Sequence, residues 1–375
     1  MRFLIRDNLT KHNDIKKNFD FILFFLTLGA AVFGIIMISS AATQPFKYVM
    51  VQGFSLALGI VAIILLTVFD YEYLAKISVY LYGFSLLLLI LVLIPGIGHF
   101  ENGARSWFRF GSSIGIQPAE IVKILFIITF ANHLSKCDDL IDRPRNVLLL
   151  LLHAGVFIGL ILLQPDFGTA AVFMCITAVM LFMAKIGKKY IFSGLALVAV
   201  ALPIAWFFMF EDYQKQRVIN LFNPENDPAG TGYHVIQSKI AVGSGKLFGN
   251  GLYKGNSQYN NFLPERHTDF IFAVVCEELG FFGGFLVLLL LVAIIVRCIM
   301  IGLNARNNLG MYICFGVAAM LAFHTFENIG MCIGIMPVTG IPLPFFSYGG
   351  SSLLTNMVAI GLVLNIKYRS KVINF

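Results

Sequence analysis

The sequence predicts an all-α polytopic membrane protein: about ten transmembrane helices, both termini cytoplasmic, and a large extracytoplasmic loop between helices 7 and 8. Three observations carry this expectation. Of the 375 residues, 58% are hydrophobic and only 13% are charged, whereas soluble domains average about half and about a quarter. Ten charge-poor apolar runs each approach the ~20 residues that a helix needs to cross a bilayer. Seventeen Lys/Arg fall on the side of the N-terminus and nine on the other, with Lys123 inside a span, so the positive-inside rule places both termini in the cytoplasm. Mean hydropathy is +0.83. Together these exclude a soluble enzyme, a disordered scaffold and a secreted disulfide module.

The runs lie near 20–40, 47–69, 74–94, 117–134, 146–163, 168–184, 190–210, 270–296, 309–335 and 350–366. The first is too long for the apolar core of a signal peptide and is read as an uncleaved helix. A cytoplasmic tail over 1–19 thus precedes one membrane domain over 20–375. On the outer side two connections stand out, 95–116 and 211–268. The second, at 58 residues, is too long for a plain connector. Tyr233, Ile236 and Ile240 at helical spacing predict a short interfacial helix within it. Gly243, Gly245, Gly249, Gly251 and Gly255 predict a flexible, turn-rich stretch after it. Met336–Pro344 holds three prolines, which excludes a regular helix, and irregular backbone at membrane depth must be buried or line a cavity. The net charge of +7 comes with no Arg/Lys run interleaved with aromatics, so no nucleic-acid partner is expected. The six cysteines form no CxxC and read as small buried hydrophobes.

Ionisable groups in or beside spans need a reason. Glu120 and Lys123, three apart, share a helix face and can pair; the pair reads equally as structural or functional. Asp269 fits a helix N-terminus as a cap, but Glu265, Arg266, His267 and Thr268 crowd it at the water boundary, which favours function. Asp166 lies in a tight outer turn and reads as a cap or a site residue. Glu277 and Glu278 lie about 12–14 Å deeper than Asp269 along the helix and are expected to be hydrogen-bonded there. His324, Glu327 and Asn328 share a face and read as a satisfied polar cluster. Arg105, Arg109, Arg217 and Lys239 suit an anionic head group. The residues alone thus point to chemistry on an anionic lipid at the outer leaflet.

Leu263–Ala273, Glu277–Gly280, Pro344–Ser352, Asn102–Trp107, Gln117–Lys123 and Gln164–Thr169 together resemble the signature motifs of the SEDS family (shape, elongation, division and sporulation). The resemblance covers nearly all the chain after its N-terminal tail. Arg266, Asp227 through Ala241 and Pro337–Gly340 are similar to the elongation-type members rather than the division-type ones. Ser106, Lys246 and Glu327 depart from the family pattern, standing where a basic residue, a glycine and an apolar residue are common.

The resemblance implies a peptidoglycan glycosyltransferase of the bacterial cytoplasmic (inner) membrane, its site facing the exterior. Such enzymes polymerise lipid II into glycan strands with inversion, beside a class B penicillin-binding protein (a transpeptidase) and other elongation-machinery membrane proteins. On that reading Asp269 is the catalytic base. Trp107, Arg109, Glu120, Lys123, Asp166, Arg217, Gln237, Lys239, Glu265, His267 and Thr268 are the substrate-binding candidates. Trp107 either stacks on a sugar or anchors at the interface. Glu120 orients Lys123 or Arg109. No cofactor is expected with certainty; a divalent cation, Mg or Mn, is compatible, and no metal ligand is named. A lipid II flippase, a division-type enzyme and a non-catalytic scaffold are the alternatives.

Overall fold

The computed structural model describes residues 19–101, 104–110, 114–208, 210–227, 230–255 and 263–370. The N-terminal tail through residue 18, Asn102–Gly103 and Pro228 lie outside the described residues. Every predicted span coincides with helix. In chain order these are α1 (Phe21–Ala41), α2 (Pro45–Val68), α3 (Tyr71–Lys76), α4 (Ser78–Leu93), α5 (Pro118–Cys137), α6 (Pro144–Leu162), α7 (Phe167–Met183) and α8 (Lys188–Phe208). After them come α9 (Asp212–Phe222), α10 (Thr231–Ser244), α11 (Ile271–Leu303), α12 (Asn308–Ile333) and α13 (Gly350–Arg369). Among the described residues seven helices are long and apolar enough to cross a membrane: α1, α2, α5, α6, α11, α12 and α13; α4 and α7 are shorter apolar helices. The chain is a polytopic membrane protein.

Burial sorts the helices. In α5 and α12, 78% of the most apolar stretch is buried, against 28% in α2 and α6. The first pair forms the centre, and the second shows Phe54, Leu58, Leu148 and Leu152 outward, where lipid would meet them. Glycines set the closest approaches. Met357 of α13 fills the space where Gly59 of α2 lacks a side chain. A Cβ at Gly34 of α1 would overlap the carbonyl of Phe345. The buried carboxylate of Asp20 accepts from Leu23 N at 3.0 Å and pairs with Arg297 of α11 at 2.9 Å, tying the start of α1 to the bundle.

Segment 336–349 crosses from α12 to α13 without regular structure, as its prolines require, and is buried at Val338, Ile341 and Leu343–Ser347. Its backbone is satisfied by side chains from three places. Asn328 Nδ2 donates to Ile341 O, Gln52 Nε2 donates to Ser347 O, and Gln52 Oε1 accepts from Gly349 N. The Ser347 hydroxyl accepts from Leu343 N at 2.7 Å. This is the condition for irregular backbone at membrane depth.

The outer segments add to the expectations and correct two of them. The all-α class fails at 95–116, where β1 (His99–Glu101), β2 (Ala104–Phe110) and β3 (Ile114–Ile116) form an antiparallel sheet in that order. Its alternation was hidden by the aromatic and basic mixture of Arg105–Phe110. The loop 211–268 also holds a helix that apolar spacing did not show, α9, which is fixed by a capping box between Glu211 and Gln214. In α10 the buried positions are Gly232, Val235, Ser238 and Ala241; Tyr233, Ile236 and Ile240 lie off that packed face, and Ile240 is exposed. Small residues bury there because they let α10 approach α11 and α12 closely.

The glycine-rich stretch is locked rather than loose. Helix α11 breaks at Gly280 (φ 69, ψ −163). Phe281 N donates to Lys246 O at 2.8 Å, while Asn250 N and Gly251 N donate to the carbonyls of Glu277 and Glu278 at 3.0 and 2.9 Å. A Cβ at Gly245 would overlap Cys276 O, and one at Gly249 (φ 78) would overlap Glu278 O. These glycines are required by close approach.

Candidate functional site

Asp269 sits in a tight turn before α11. Thr268, Asp269 and Phe270 all direct their amides at the carbonyl of Glu265, which has φ 50. The N-cap position of α11 is Phe270, and no side chain caps the helix there. The cap reading of Asp269 is thereby set aside. Its carbonyl accepts from Asn328 Nδ2 at 2.8 Å, and its Oδ2 faces Gly340, where a Cβ would stand 3.3 Å away. Burial pushes the carboxyl up to about 7; Glu265 adds to the rise and Arg217 opposes it.

The residues beside Asp269 divide by role. The Glu265 carboxylate accepts from the Thr268 hydroxyl at 3.0 Å. The His267 ring clusters with those of Tyr48 and Tyr348, with centroids 4.7 and 5.7 Å away, and its carbonyl accepts from Tyr348 N. Burial lowers the pKa of His267, which keeps the ring neutral near pH 7. Arg266 turns inward, buried, and donates from Nε to Ala41 O at 2.5 Å. It anchors the motif to the end of α1.

Above this turn lie α9 and α10. Arg217 stacks over the Tyr213 ring at 5.6 Å, one turn back along α9. The Ser238 hydroxyl donates to Cys332 O at 2.8 Å, joining α10 to the end of α12. There Gly334 (φ 73) admits the aliphatic stem of Lys239, which a Cβ would overlap. The Lys239 ammonium is therefore carried past the end of α12. Gln237 is half-buried on the same helix.

A second polar centre forms where α5, α7 and α12 meet. Lys123 Nζ lies 2.8 Å from Glu120 Oε1 and 3.0 Å from His324 Nε2, all three buried. Asp166 caps α7, accepting from the amide and hydroxyl of Thr169 at 3.0 and 2.9 Å. Its other partner is Gln117 Nε2 at 3.2 Å, just before α5. Burial raises the Asp166 carboxyl, and Lys123 and Glu120 lie within electrostatic reach of it. The cap reading of Asp166 therefore holds, and the residue also belongs to this centre.

The crossing segment touches both centres. Thr339 donates to Glu327 Oε1 at 2.8 Å, Ile341 accepts from Asn328, and both Thr339 and Ile341 lie against Gly168 at the start of α7. The sheet flanks the second centre. β3 ends two residues before α5, and Arg105 donates to Leu93 O at the end of α4. Alternation puts Arg105, Trp107 and Arg109 of β2 on one face. The Trp107 ring covers Gly115 of β3, where a Cβ would stand 3.1 Å from it. Glu278 lies apart, accepting from Ser40 and from Tyr253 N. Sequence reasoning gave no site role to Tyr48, Gln117 and Thr339; Gln117 and Thr339 lie within the motifs Gln117–Lys123 and Pro337–Gly340, which mark them, and nothing marks Tyr48. Among the described residues no group of three or more His, Cys, Asp or Glu converges as for a metal.

Residues 20–372 match the FtsW/RodA/SpoVE family, described as cell cycle proteins. The chain belongs to this family. It is 39% identical over 283 residues to the peptidoglycan glycosyltransferase MrdB of Escherichia coli K12, covering 75% of each chain. A chain from a structure on the coordination of polymerization and crosslinking by a peptidoglycan synthase complex superimposes with a TM-score of 0.81 at 32% identity, over 94% of this chain and 98% of that one. The rod shape determining protein RodA of Thermus thermophilus superimposes with a TM-score of 0.70 at 30% identity, over 93% and 96%. Two departures from the family pattern have structural readings. Lys246 adopts φ 48, the left-handed conformation that the usual glycine enters freely. Glu327 is buried and bonded to Thr339.

Proposed function

We propose that this chain is a peptidoglycan glycosyltransferase that polymerises lipid II into glycan strands during elongation of the cell. The observation that carries the reading is Asp269. Its carboxylate is lifted to about 7, free of any capping duty, and its backbone is pinned from α12. A carboxyl near the working pH is suited to accept a proton from a sugar hydroxyl. The GlcNAc 4-hydroxyl of one lipid II attacks C1 of the MurNAc at the growing end. The proton passes to Asp269, the C1–oxygen bond to the lipid diphosphate breaks with inversion, and charge grows on the diphosphate. Lys123, Arg217, Lys239 and Arg109 are the cations for that charge. Glu120 orients Lys123, and Asp166 holds the start of α7 beside them. Glu265, His267, Thr268, Gln237 and Trp107 line the sugar path.

The lipid stays in the bilayer while the sugars meet Asp269 at its outer edge. This needs ten spans in one membrane domain, cytoplasmic termini, and the loop over 211–268 on the outside of the cytoplasmic membrane. A class B penicillin-binding protein would crosslink the product, in company with other elongation proteins. Likeness to a chain of a complex that couples polymerization and crosslinking supports that partner. Likeness to a rod shape determining protein and Arg266 support the elongation role over the division role. The test is purified protein, with and without its transpeptidase, given labelled lipid II. A ladder of glycan strands is expected. Lipid II crossing vesicles without polymer would mark a flippase, and neither activity a scaffold.

A further inference from the structure

The second polar centre carries more than a Lys–Glu pair requires. An ammonium has three donors. In Lys123 one is directed at Glu120 Oε1 and another at His324 Nε2, on a different helix. Because the ammonium donates, Nε2 must accept, and the ring proton sits on Nδ1. That nitrogen faces the carbonyl of Pro342 without completing a hydrogen bond. Glu120 Oε2 is likewise buried without a hydrogen-bond partner among the described residues. A buried polar group left without a partner is costly. His324 thus takes a second N–H of the buried ammonium, and one of the three remains.

One turn beyond His324, Asn328 donates to Ile341 O, next to Pro342, and to Asp269 O. Helix α12 therefore reaches the ammonium, two adjacent residues of the crossing segment and the backbone of the candidate base. A lysine on its four-carbon stem does not hold one position unaided. A neutral acceptor fixes it without cancelling its charge, as a second carboxylate directed at Nζ would. Asp166 lies within reach, but its oxygens are occupied by Thr169 and Gln117. Lys123 lies about 8 Å along α5 from its outer end, a depth for a lipid diphosphate rather than a sugar.

We infer that His324 is a positioning residue: it orients the Lys123 ammonium so that its remaining N–H meets the leaving diphosphate, and through α12 it sets that cation at a fixed place relative to Asp269. The inference rests on the polymerase reading above. The experiment measures kcat and KM for lipid II, with apparent melting temperature, in wild type, His324→Leu, His324→Gln and Lys123→Arg. His324→Leu is expected to lower kcat about 10- to 100-fold with little change in KM, a loss larger than its fall in melting temperature explains, as misplacement of a transition-state group gives. His324→Gln, which restores an acceptor, should recover most of that loss. In Lys123→Arg, adding His324→Leu should cost little more. An active wild type with an equally active His324→Leu overturns the inference and leaves the polymerase reading intact. So does a glutamine variant no better than leucine, or a loss that adds in full to Lys123→Arg. A wild type that makes no strand overturns both. Should His324→Leu not fold, His324→Gln is compared with the shorter His324→Asn, and equal rates overturn the inference.

Discussion

Asn328 holds the backbone of Asp269: its Nδ2 donates to the Asp269 carbonyl at 2.8 Å and to Ile341 O at the same distance. One buried amide on α12 thus ties the turn before α11 to the crossing segment. Asn328→Ala removes both bonds and leaves two carbonyls in an interior site. A loss of about 2–4 kcal/mol in stability is expected, with polymerisation falling further than the melting temperature alone explains. Thermal unfolding in detergent, with rates taken well below the transition, checks it.

The Asp269 carboxyl, lifted to about 7, fixes the sign of the pH dependence. The base works ionised, so the rate should rise about tenfold per pH unit below that value and level off above it. Glu265 contributes to the lift. Glu265→Gln keeps an acceptor for Thr268 but removes the charge, so the acid limb should move to lower pH. A limb that stays put, or moves up, would contradict the assignment.

The same lift has a consequence for stability. A carboxyl whose folded pKa lies above its unfolded value favours the protonated fold, so stability declines as pH rises from the unfolded value to about 7. Asp269→Asn, neutral throughout, should melt above wild type at pH 8 and show a smaller advantage at pH 5. Parallel melting curves at the two pH values check it.

Two substitutions near the break in α11 should act with opposite sign. Gly249→Ala places a Cβ into the Glu278 carbonyl at φ 78 and should cost about 2–4 kcal/mol. Lys246→Gly relieves a left-handed lysine at φ 48 and should gain about 1 kcal/mol. Apparent melting temperatures of the two variants check both.

The long apolar helices were legible because runs of Leu, Ile, Val and Phe without charge are a signal along the chain. The irregular crossing segment was legible from its prolines, and its need for burial from the absence of water in lipid. Glu120 with Lys123 could be read from a three-residue spacing. What sequence did not show depends on distant partners. The sheet over 99–116 is set by pairings such as Arg109 with Gly115. The rigidity of Gly245 and Gly249 comes from carbonyls of α11. His324 and Asn328 were seen as one polar face, but their partners Lys123 and Asp269 lie 201 and 59 residues away. Asp269 resembled a helix cap because its neighbours do; only the observed start of α11 separates the two roles.

The central claim is that Asp269 is the base of a strand polymerase. Its most direct test is the glycan product from labelled lipid II made by wild type and Asp269→Asn side by side, each with the transpeptidase present and at equal folded amount. The account predicts a ladder of long strands from wild type and none from the variant. A full ladder from Asp269→Asn would contradict it.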